Sequence, residues 1–222
     1  MTTQQGNDRP MMKDIKSLKK DLSIQLDQVL PLEQCHNLIA MSKGQSGTGQ
    51  VESVTTDTFN EYINQVLTPD VVTILEGYFQ CEFQVLWPRY DIVDSHAIDY
   101  YSTGWHLDGS LKKSLKLFVY LNSVFDHGGN TLIIDQQRTE KLRLACKLPV
   151  SLEGREKDLT DSLKQLQLDP SYLAYDLKAG DGLLFNPFQL AHRCLAPREG
   201  RARHTLSFTI VPVTEIPKEA GL

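Results

Sequence analysis

Short β-rich runs separated by turn residues fill most of the chain after residue 82, and they constrain the fold more than any other feature. Glycine, proline, asparagine and aspartate lie between most of these runs, as expected where strands end in tight connections. Several short strands linked by turns predict a sandwich or an open barrel. The predicted strands are 83–87, 97–101, 115–121, 131–134, 173–177, 182–185 and 204–211.

The chain before residue 82 has a different pattern and is predicted to be mainly helical. Thr68 and Pro69 form one clear helix start, since threonine caps a helix and proline suits its first position. Residues 1–10 are polar and predicted to be a disordered tail. We therefore expect a single domain over 11–222, with a helical support at 11–81, a β core at 82–213 and a charged, partly helical insert at 140–167.

Composition excludes several classes of protein. A hydrophobic fraction of 41% with a net charge of -5 argues against disorder over most of the chain. No apolar run approaches the roughly 20 residues of a membrane span, and the mild acidity disfavours a nucleic-acid partner. The four cysteines are scattered without a CxxC pair, which favours free thiols in a reducing, cytoplasmic setting.

The segment Trp105-His106-Leu107-Asp108 is the sharpest chemical signal. Side chains two apart on a strand share a face, so His106 and Asp108 present an imidazole and a carboxylate together. A distant histidine would complete a 2-His-1-carboxylate triad of the kind that binds non-haem Fe(II). His192, which follows a tight turn and a buried strand, is the best candidate, whereas His127 in a glycine-rich turn is expected to be exposed. An HxD pair alone is also common on protein surfaces.

A polar face runs along the predicted strand at 204–211 and the residues just before it. This face is composed of Arg203, Thr205, Ser207 and Thr209. It either opens to water, as is usual for an antiparallel sheet, or lines a pocket in which a guanidinium binds a carboxylate. Arg201 has the same parity as Arg203, and we expect Arg201 to be the more solvated because it lies nearer the turn.

Two other strands carry candidate ligand-binding residues. Lys116, Phe118 and Tyr120 share one face, so Lys116 or Tyr120 contacts a co-substrate or substrate if that face points inward. The alternative is that the two aromatic side chains are ordinary core. Arg89 is either a contact for an acidic substrate or an ordinary exposed arginine.

Several motifs in this order resemble the Fe(II)- and 2-oxoglutarate-dependent dioxygenase superfamily, in particular its prolyl 4-hydroxylase-like and phytanoyl-CoA dioxygenase-like members. They include WHLDG at 105–109, HGGNTLIID at 127–135, LKAGDGLLF at 177–185 and HRCLAPREGRAR at 192–203. The resemblance implies a mainly β fold with flanking α, whose core is a double-stranded β-helix (jelly-roll, cupin-like) with the N-terminal helices packed on it.

The resemblance also implies roles for individual residues. His106, Asp108 and His192 would be the catalytic Fe(II) ligands, while Arg203 and Thr131 would hold the distal carboxylate of 2-oxoglutarate. The implied cofactors are Fe(II), 2-oxoglutarate as co-substrate and O2, with ascorbate as a candidate reductant. The implied reaction hydroxylates an unactivated C–H bond of a small molecule or protein side chain while 2-oxoglutarate is decarboxylated to succinate.

Two other interpretations compete with this one. A cupin-like metal-binding protein without oxygenase activity would share the fold, but the additional histidine and the glutamate usual in cupins are not found at the expected spacing. A scaffold that has lost catalysis would keep the fold and bind a partner, yet all three candidate ligands remain.

Overall fold

The computed structural model describes residues 10–42, 47–51, 56–97, 102–109, 111–149 and 151–215. Within these residues the helices are α1 (Pro10–Asp21), α2 (Leu32–Met41), α3 (Thr56–Val66), α4 (Pro69–Phe79), α5 (Val124–His127), α6 (Gln136–Leu144) and α7 (Thr160–Gln165). The strands are β1 (Ser23–Leu26), β2 (Gly49–Gln50), β3 (Phe83–Asp94), β4 (Leu115–Tyr120), β5 (Thr131–Ile133), β6 (Gly182–Phe185), β7 (His192–Cys194) and β8 (Ala202–Pro212). The predicted tail lies outside the described residues except for Pro10, as does the predicted strand at 97–101 except for Ala97.

The strands form two antiparallel sheets. The larger has the order β1-β6-β4-β8-β3-β2, and the smaller pairs β5 with β7. In the larger sheet the central strand β8 pairs with β4 on one side and with β3 on the other. An antiparallel, sheet-rich fold with helices is therefore confirmed.

The two faces of the six-stranded sheet have opposite chemistry. Leu117 of β4 and Phe208 of β8 are register partners on the outer face, where they pack in one cluster with apolar residues of α1, α3 and α4. Each fully buried leucine on this face contributes about 1.5–3 kcal/mol relative to exposure. The alternate residues of the same strands, among them Lys116 and Ser207, face inward and leave a polar wall.

The sheets approach each other across that inner face. A second cluster joins Tyr120 of β4 and Phe185 of β6 to Ile133 of β5. The small sheet thus covers one end of the polar wall, and the remaining space between the two sheets is a cavity.

Strand β3 is longer than its predicted run and contains a bulge. Its pairing with β8 shifts between Leu86 and Arg89, where Trp87 and Pro88 oppose the single residue Phe208. Trp87 has a φ of 48°, in the left-handed region. Two residues opposite one is the pattern of a β-bulge, which turns the side chains that follow it. Beyond the bulge, β3 pairs with β8 in regular register again, starting with Arg89 opposite Ser207, and the strand therefore continues.

The predicted strand at 173–177 is wrong. Only Leu173 pairs, in an isolated bridge with Ile133, and the residues after it are irregular. Its neighbour β5 has only three residues, so little strand is available for pairing.

The helices that sequence patterns predicted have clear local causes. The Thr68 hydroxyl accepts a hydrogen bond from the Val71 N–H at 3.3 Å, and Pro69 opens α4, as expected. Within the insert, Leu142 of α6 and Leu163 of α7 pack in one cluster with Trp105. Among the described residues, every helix is too short or too polar to cross a bilayer.

Candidate metal centre

The HxD segment is attached to β7 by backbone hydrogen bonds. His106 and His192 form an isolated antiparallel bridge in which each N–H donates to the other's carbonyl, at 3.1 and 3.0 Å. The Asp108 N–H donates to the Pro187 carbonyl at 2.9 Å. These bonds bring together residues that are 79 and 86 positions apart in the chain.

Three potential metal ligands converge at this bridge. The Asp108 Oδ1 atom lies 3.5 Å from the Nε2 atoms of both His106 and His192. One ligand atom from each residue falls within 4.8 Å of the others, and both imidazoles are buried. The structure therefore brings together all three residues that sequence analysis proposed as ligands.

Backbone carbonyls orient both imidazoles. The His106 Nδ1 atom lies 2.8 Å from the Gly104 carbonyl oxygen, and the His192 Nδ1 atom lies 3.0 Å from the Leu190 oxygen. Because a carbonyl only accepts, each Nδ1 donates to it, and this turns each Nε2 atom towards the cluster. Burial, together with the neighbouring His192, lowers the pKa of His106 to about 3, so this ring is neutral and able to bind a metal.

Asp108 is held as a carboxylate by its neighbours. Burial alone would raise its pKa, but His192 and Lys116 together lower that pKa well below its usual range. The Lys116 ammonium donates to Oδ2, which leaves Oδ1 facing the imidazoles. Lys116 therefore contacts the candidate metal ligand. It also lines the cavity, and its contact with a co-substrate or substrate stays a prediction.

Two imidazole nitrogens and one carboxylate oxygen on one side of a cavity fit a divalent transition metal. This donor set is the 2-His-1-carboxylate facial arrangement, which suits non-haem Fe(II) and leaves coordination positions open for other ligands. The neutral His106 ring and the ionised carboxylate are in the protonation states that metal binding requires.

A buried basic group lies deeper in the same cavity. Arg203 of β8 is 4% exposed, and its Nη1 atom lies 3.4 Å from the Thr131 hydroxyl of β5. The guanidinium also sits 5.6 Å from the centre of the Tyr120 ring. A buried guanidinium beside a hydroxyl can bind a carboxylate bidentately. Arg201 is exposed, as the turn position predicted.

Tyr120 contacts Thr131 from outside the cavity lining. Its hydroxyl lies 2.9 Å from the Thr131 hydroxyl, and its side chain is fully buried. Tyr120 is not among the residues that line the cavity. The sequence pattern predicted a co-substrate contact for Tyr120, whereas in the structure its hydroxyl contacts Thr131.

The candidate metal ligands and the basic group share one cavity of about 370 Å³. Its sheet wall is the polar face of β8, where Thr205, Ser207 and Thr209 are each buried. Of the two interpretations of that face, the structure supports the one in which it lines a pocket and not the one in which it opens to water.

Three charged or aromatic cavity residues on β3 were not predicted, or were left undecided, from the sequence. Arg89 lines the cavity and pairs with Asp91, with 2.8 Å between Nη2 and Oδ1. Burial raises the pKa of Asp91 in spite of Arg89.

Trp87 lies at the cavity mouth with 67% of its surface exposed. A left-handed backbone at a bulky residue costs about 1–2 kcal/mol. The Trp-Pro pair that interrupts the strand pattern is the only sequence signal for this bulge.

The expectation that His127 is exposed is wrong. It is 1% exposed, stacks on Tyr120 with ring centres 6.3 Å apart, and accepts the Gly129 N–H at Nδ1. Arg198 covers the turn and donates its own N–H to the His127 carbonyl. Burial and the charge of Arg203 lower the pKa of His127 to about 4.

Comparisons with known proteins give structural matches only. No family model matches the sequence, and no curated protein matches it. The fold is similar to SnoN, a non-heme alpha ketoglutarate dependent epimerase from nogalamycin biosynthesis (12% identity, 96% of this chain and 91% of that chain, TM-score 0.59). It is also similar to the carbocyclase SnoK from the same biosynthesis (14% identity, 92% and 84%, TM-score 0.61) and to the non-heme monooxygenase ThoJ in its nickel complex (11% identity, 90% and 77%, TM-score 0.56). At these identities the likeness establishes a shared fold.

Proposed function

We propose that this protein is an Fe(II)- and 2-oxoglutarate-dependent dioxygenase that hydroxylates an unactivated C–H bond. The observation that carries the proposal is a single cavity with a His106–Asp108–His192 cluster and a buried Arg203–Thr131 pair at its deep end. Neighbours of the same fold support it, since SnoN has been solved with Fe3+ and alpha ketoglutarate.

Two groups of residues have separate roles in this proposal, one in binding the metal and one in binding 2-oxoglutarate. His106, Asp108 and His192 hold the iron through Nε2, Oδ1 and Nε2, and Arg203 with Thr131 anchors the far carboxylate of 2-oxoglutarate. When bound, iron and 2-oxoglutarate supply the activation of O2, in which the co-substrate becomes succinate and CO2 as a substrate C–H becomes C–OH. The buried walls of β4 and β8 exclude bulk water from these groups.

We also propose that the two sheets belong to one double-stranded β-helix within a single oxygenase domain over 11–222. The bridge between His106 and His192, and the inward placement of Thr131 and Arg203 from different sheets, support that organisation. The four unpaired cysteines support a reducing, cytoplasmic setting, which would also keep iron in its Fe(II) state.

Succinate formation tests the proposed activity. Purified protein incubated with Fe(II), 2-oxoglutarate, O2 and ascorbate, the reductant that replaces the substrate in this assay, is expected to form succinate and CO2. Omission of Fe(II) or 2-oxoglutarate, or the substitution His192→Ala, is expected to abolish this. Succinate formation that persists in His192→Ala would overturn the proposal.

The printed activities of SnoN and SnoK show that this fold supports epimerisation and carbocycle formation as well. Incorporation of one oxygen atom from 18O2 into the product distinguishes hydroxylation from those outcomes.

A further inference from the structure

We propose that the cavity mouth is a substrate subsite for a small organic anion with a flat ring system. In this arrangement Arg89 binds the anionic group and Trp87 packs against the ring. The inference deepens the proposed function, because the molecule held there would be the one that is oxidised.

Trp87 is placed as a contact for a ligand and not as core. The other tryptophan of the chain, Trp105, is 1% exposed, whereas Trp87 is 67% exposed and lines the cavity. A large apolar ring exposed at a cavity rim gains by covering its face with another flat, apolar surface. The left-handed backbone at Trp87 shows that the surrounding strand pairing imposes this position in spite of its strain.

The bulge also sets the direction of Arg89. After the shift, Arg89 pairs in register with Ser207 and Asp91 with Thr205, and all four line the cavity. If the same residues paired with β8 in regular register from Leu86 onward, Arg89 would lie opposite Leu206 and on the other face of the sheet. One local irregularity therefore accounts for both the aromatic ring at the mouth and the guanidinium below it.

Asp91 holds the guanidinium in place. It accepts from Nη2 at 2.8 Å, while about a third of the Arg89 side chain remains accessible. An arginine carries five N–H donors in a fixed fork, so the same group can pair with an aspartate and with a ligand carboxylate.

The charges that line the cavity favour an anion. Arg89, Lys116 and Arg203 are cationic, and Asp91 and Asp108 are anionic. Arg193 also contributes to the lining, but it alternates with His192 and Cys194 on β7, so its side chain is on the other face of that strand, where its charge acts on Asp158.

The three cationic and two anionic side chains leave one excess positive charge in the cavity. The charges of a divalent metal and of doubly charged 2-oxoglutarate would cancel each other, so this positive charge remains to attract the substrate. The cavity, at about 370 Å³, is near the lower end of the roughly 300–1,000 Å³ typical of ligand pockets. Because 2-oxoglutarate occupies part of that space, a small molecule fits better than a protein segment.

The test uses 2-naphthoate as an aromatic anion and 2-naphthalenemethanol as its neutral analogue. Each is titrated calorimetrically into the full-length protein with Mn(II) and saturating 2-oxoglutarate, so that Arg203 is already occupied. We expect one site for 2-naphthoate, at least tenfold tighter than for the alcohol, since hydrogen bonds to charged groups are worth a factor of about ten or more.

Two variants separate the contacts. Arg89→Gln is expected to weaken 2-naphthoate about tenfold and to leave the alcohol nearly unchanged. Trp87→Ala is expected to weaken both probes several-fold without changing the melting temperature, because the ring is mostly exposed. Arg201→Gln and Phe125→Ala are matched controls, since both side chains are exposed away from the cavity.

The subsite is disproved if 2-naphthoate does not bind to the wild-type protein at millimolar concentration, or if Arg89→Gln and Trp87→Ala bind it as the wild type does. These results are independent of turnover. Probe binding without succinate formation would support the subsite and contradict the proposed oxygenase activity. Succinate formation without probe binding would support the oxygenase activity and contradict the subsite.

Discussion

Lys116 occupies the place of a counter-charge to the candidate metal ligand Asp108. Its ammonium binds Oδ2, and both side chains are about a fifth exposed. In the metal-free protein, Lys116 is the cation that compensates this carboxylate. A divalent ion bound at Oδ1 would perform the same role, so the lysine and the metal stabilise Asp108 in overlapping ways.

The substitution Lys116→Met tests this overlap. We expect the free energy of unfolding of the metal-free protein to fall by about 2 kcal/mol, because a largely buried carboxylate loses its partner. Added Mn(II) should then stabilise the variant more than it stabilises the wild type, measured by urea unfolding with and without metal. Lys112→Met, at an exposed neighbouring lysine, is the control. An equal gain from Mn(II) in both proteins would contradict the account.

Arg203 and Arg201 share parity but differ in burial, and this difference predicts their roles. Arg203→Gln removes the buried guanidinium beside Thr131 and should weaken 2-oxoglutarate binding to the Mn(II) protein by about tenfold to a hundredfold. Arg201→Gln alters an exposed side chain and should leave that affinity unchanged. Calorimetric titration of 2-oxoglutarate distinguishes the two, and a loss in Arg201→Gln instead would reverse the assignment.

His127 makes stability depend on pH. Its pKa is lowered to about 4 in the folded protein by burial and by Arg203, against about 6.5 in the unfolded chain. The unfolded chain therefore takes up a proton first, and stability is lost as pH falls from about 6.5 towards 4.

The variant His127→Asn isolates this contribution, because its side-chain oxygen can still accept from the Gly129 N–H. Between pH 6.5 and 4 the wild type should lose more stability than the variant, by an amount on the order of 3 kcal/mol. Urea unfolding of both metal-free proteins across this range measures the difference. Parallel pH profiles would show that His127 is not the group responsible.

At the scale of elements, one tight connection joins the helical support to the sheet. Gly180 accepts from the Leu30 N–H at 3.1 Å and donates to the Tyr120 carbonyl at 2.7 Å. Its φ is +89°, and an added Cβ would lie 2.2 Å from the Leu30 oxygen. A side chain there must displace either the loop before α2 or the start of β6.

Gly180→Ala should therefore destabilise the protein by roughly 3 kcal/mol or more, because a backbone clash adds to the cost of the left-handed conformation. Gly200→Ala is the matched control, since its φ is +69° but nothing lies within 4 Å of the added Cβ. It should cost only about 1 kcal/mol. Similar losses in urea unfolding for the two variants would mean that the close approach at Gly180 is relieved at little cost.

The elements differ in how far they could be predicted from sequence. The faces of β4 and β8 were predictable because period-two alternation is a local property. The bridge between His106 and His192 was anticipated from the order of motifs, since no local pattern specifies pairing between distant segments. The bulge at Trp87 and the burial of His127 were not predicted, because each depends on a tertiary partner, β8 in one case and the Arg198 segment in the other.

At the scale of the whole molecule, the two sheets make one site from distant pieces. The six-stranded sheet supplies Lys116 and Arg203, the small sheet supplies Thr131 and His192, and the HxD segment closes the cluster. Helices α1, α3 and α4 pack on the outer, apolar face of the six-stranded sheet. The central claim is therefore that one cavity holds a metal and 2-oxoglutarate together.

Anaerobic visible absorption of the Fe(II)-loaded protein tests that claim most directly. Because 2-oxoglutarate is proposed to bind beside the metal, its addition should produce a saturable change in the iron spectrum at one equivalent per chain. The same titration of Arg203→Gln should need a higher 2-oxoglutarate concentration to saturate, and His192→Ala should show no change. An Fe(II) spectrum that 2-oxoglutarate leaves unaltered in the wild type would contradict the account and favour a cupin-like metal protein without oxygenase chemistry.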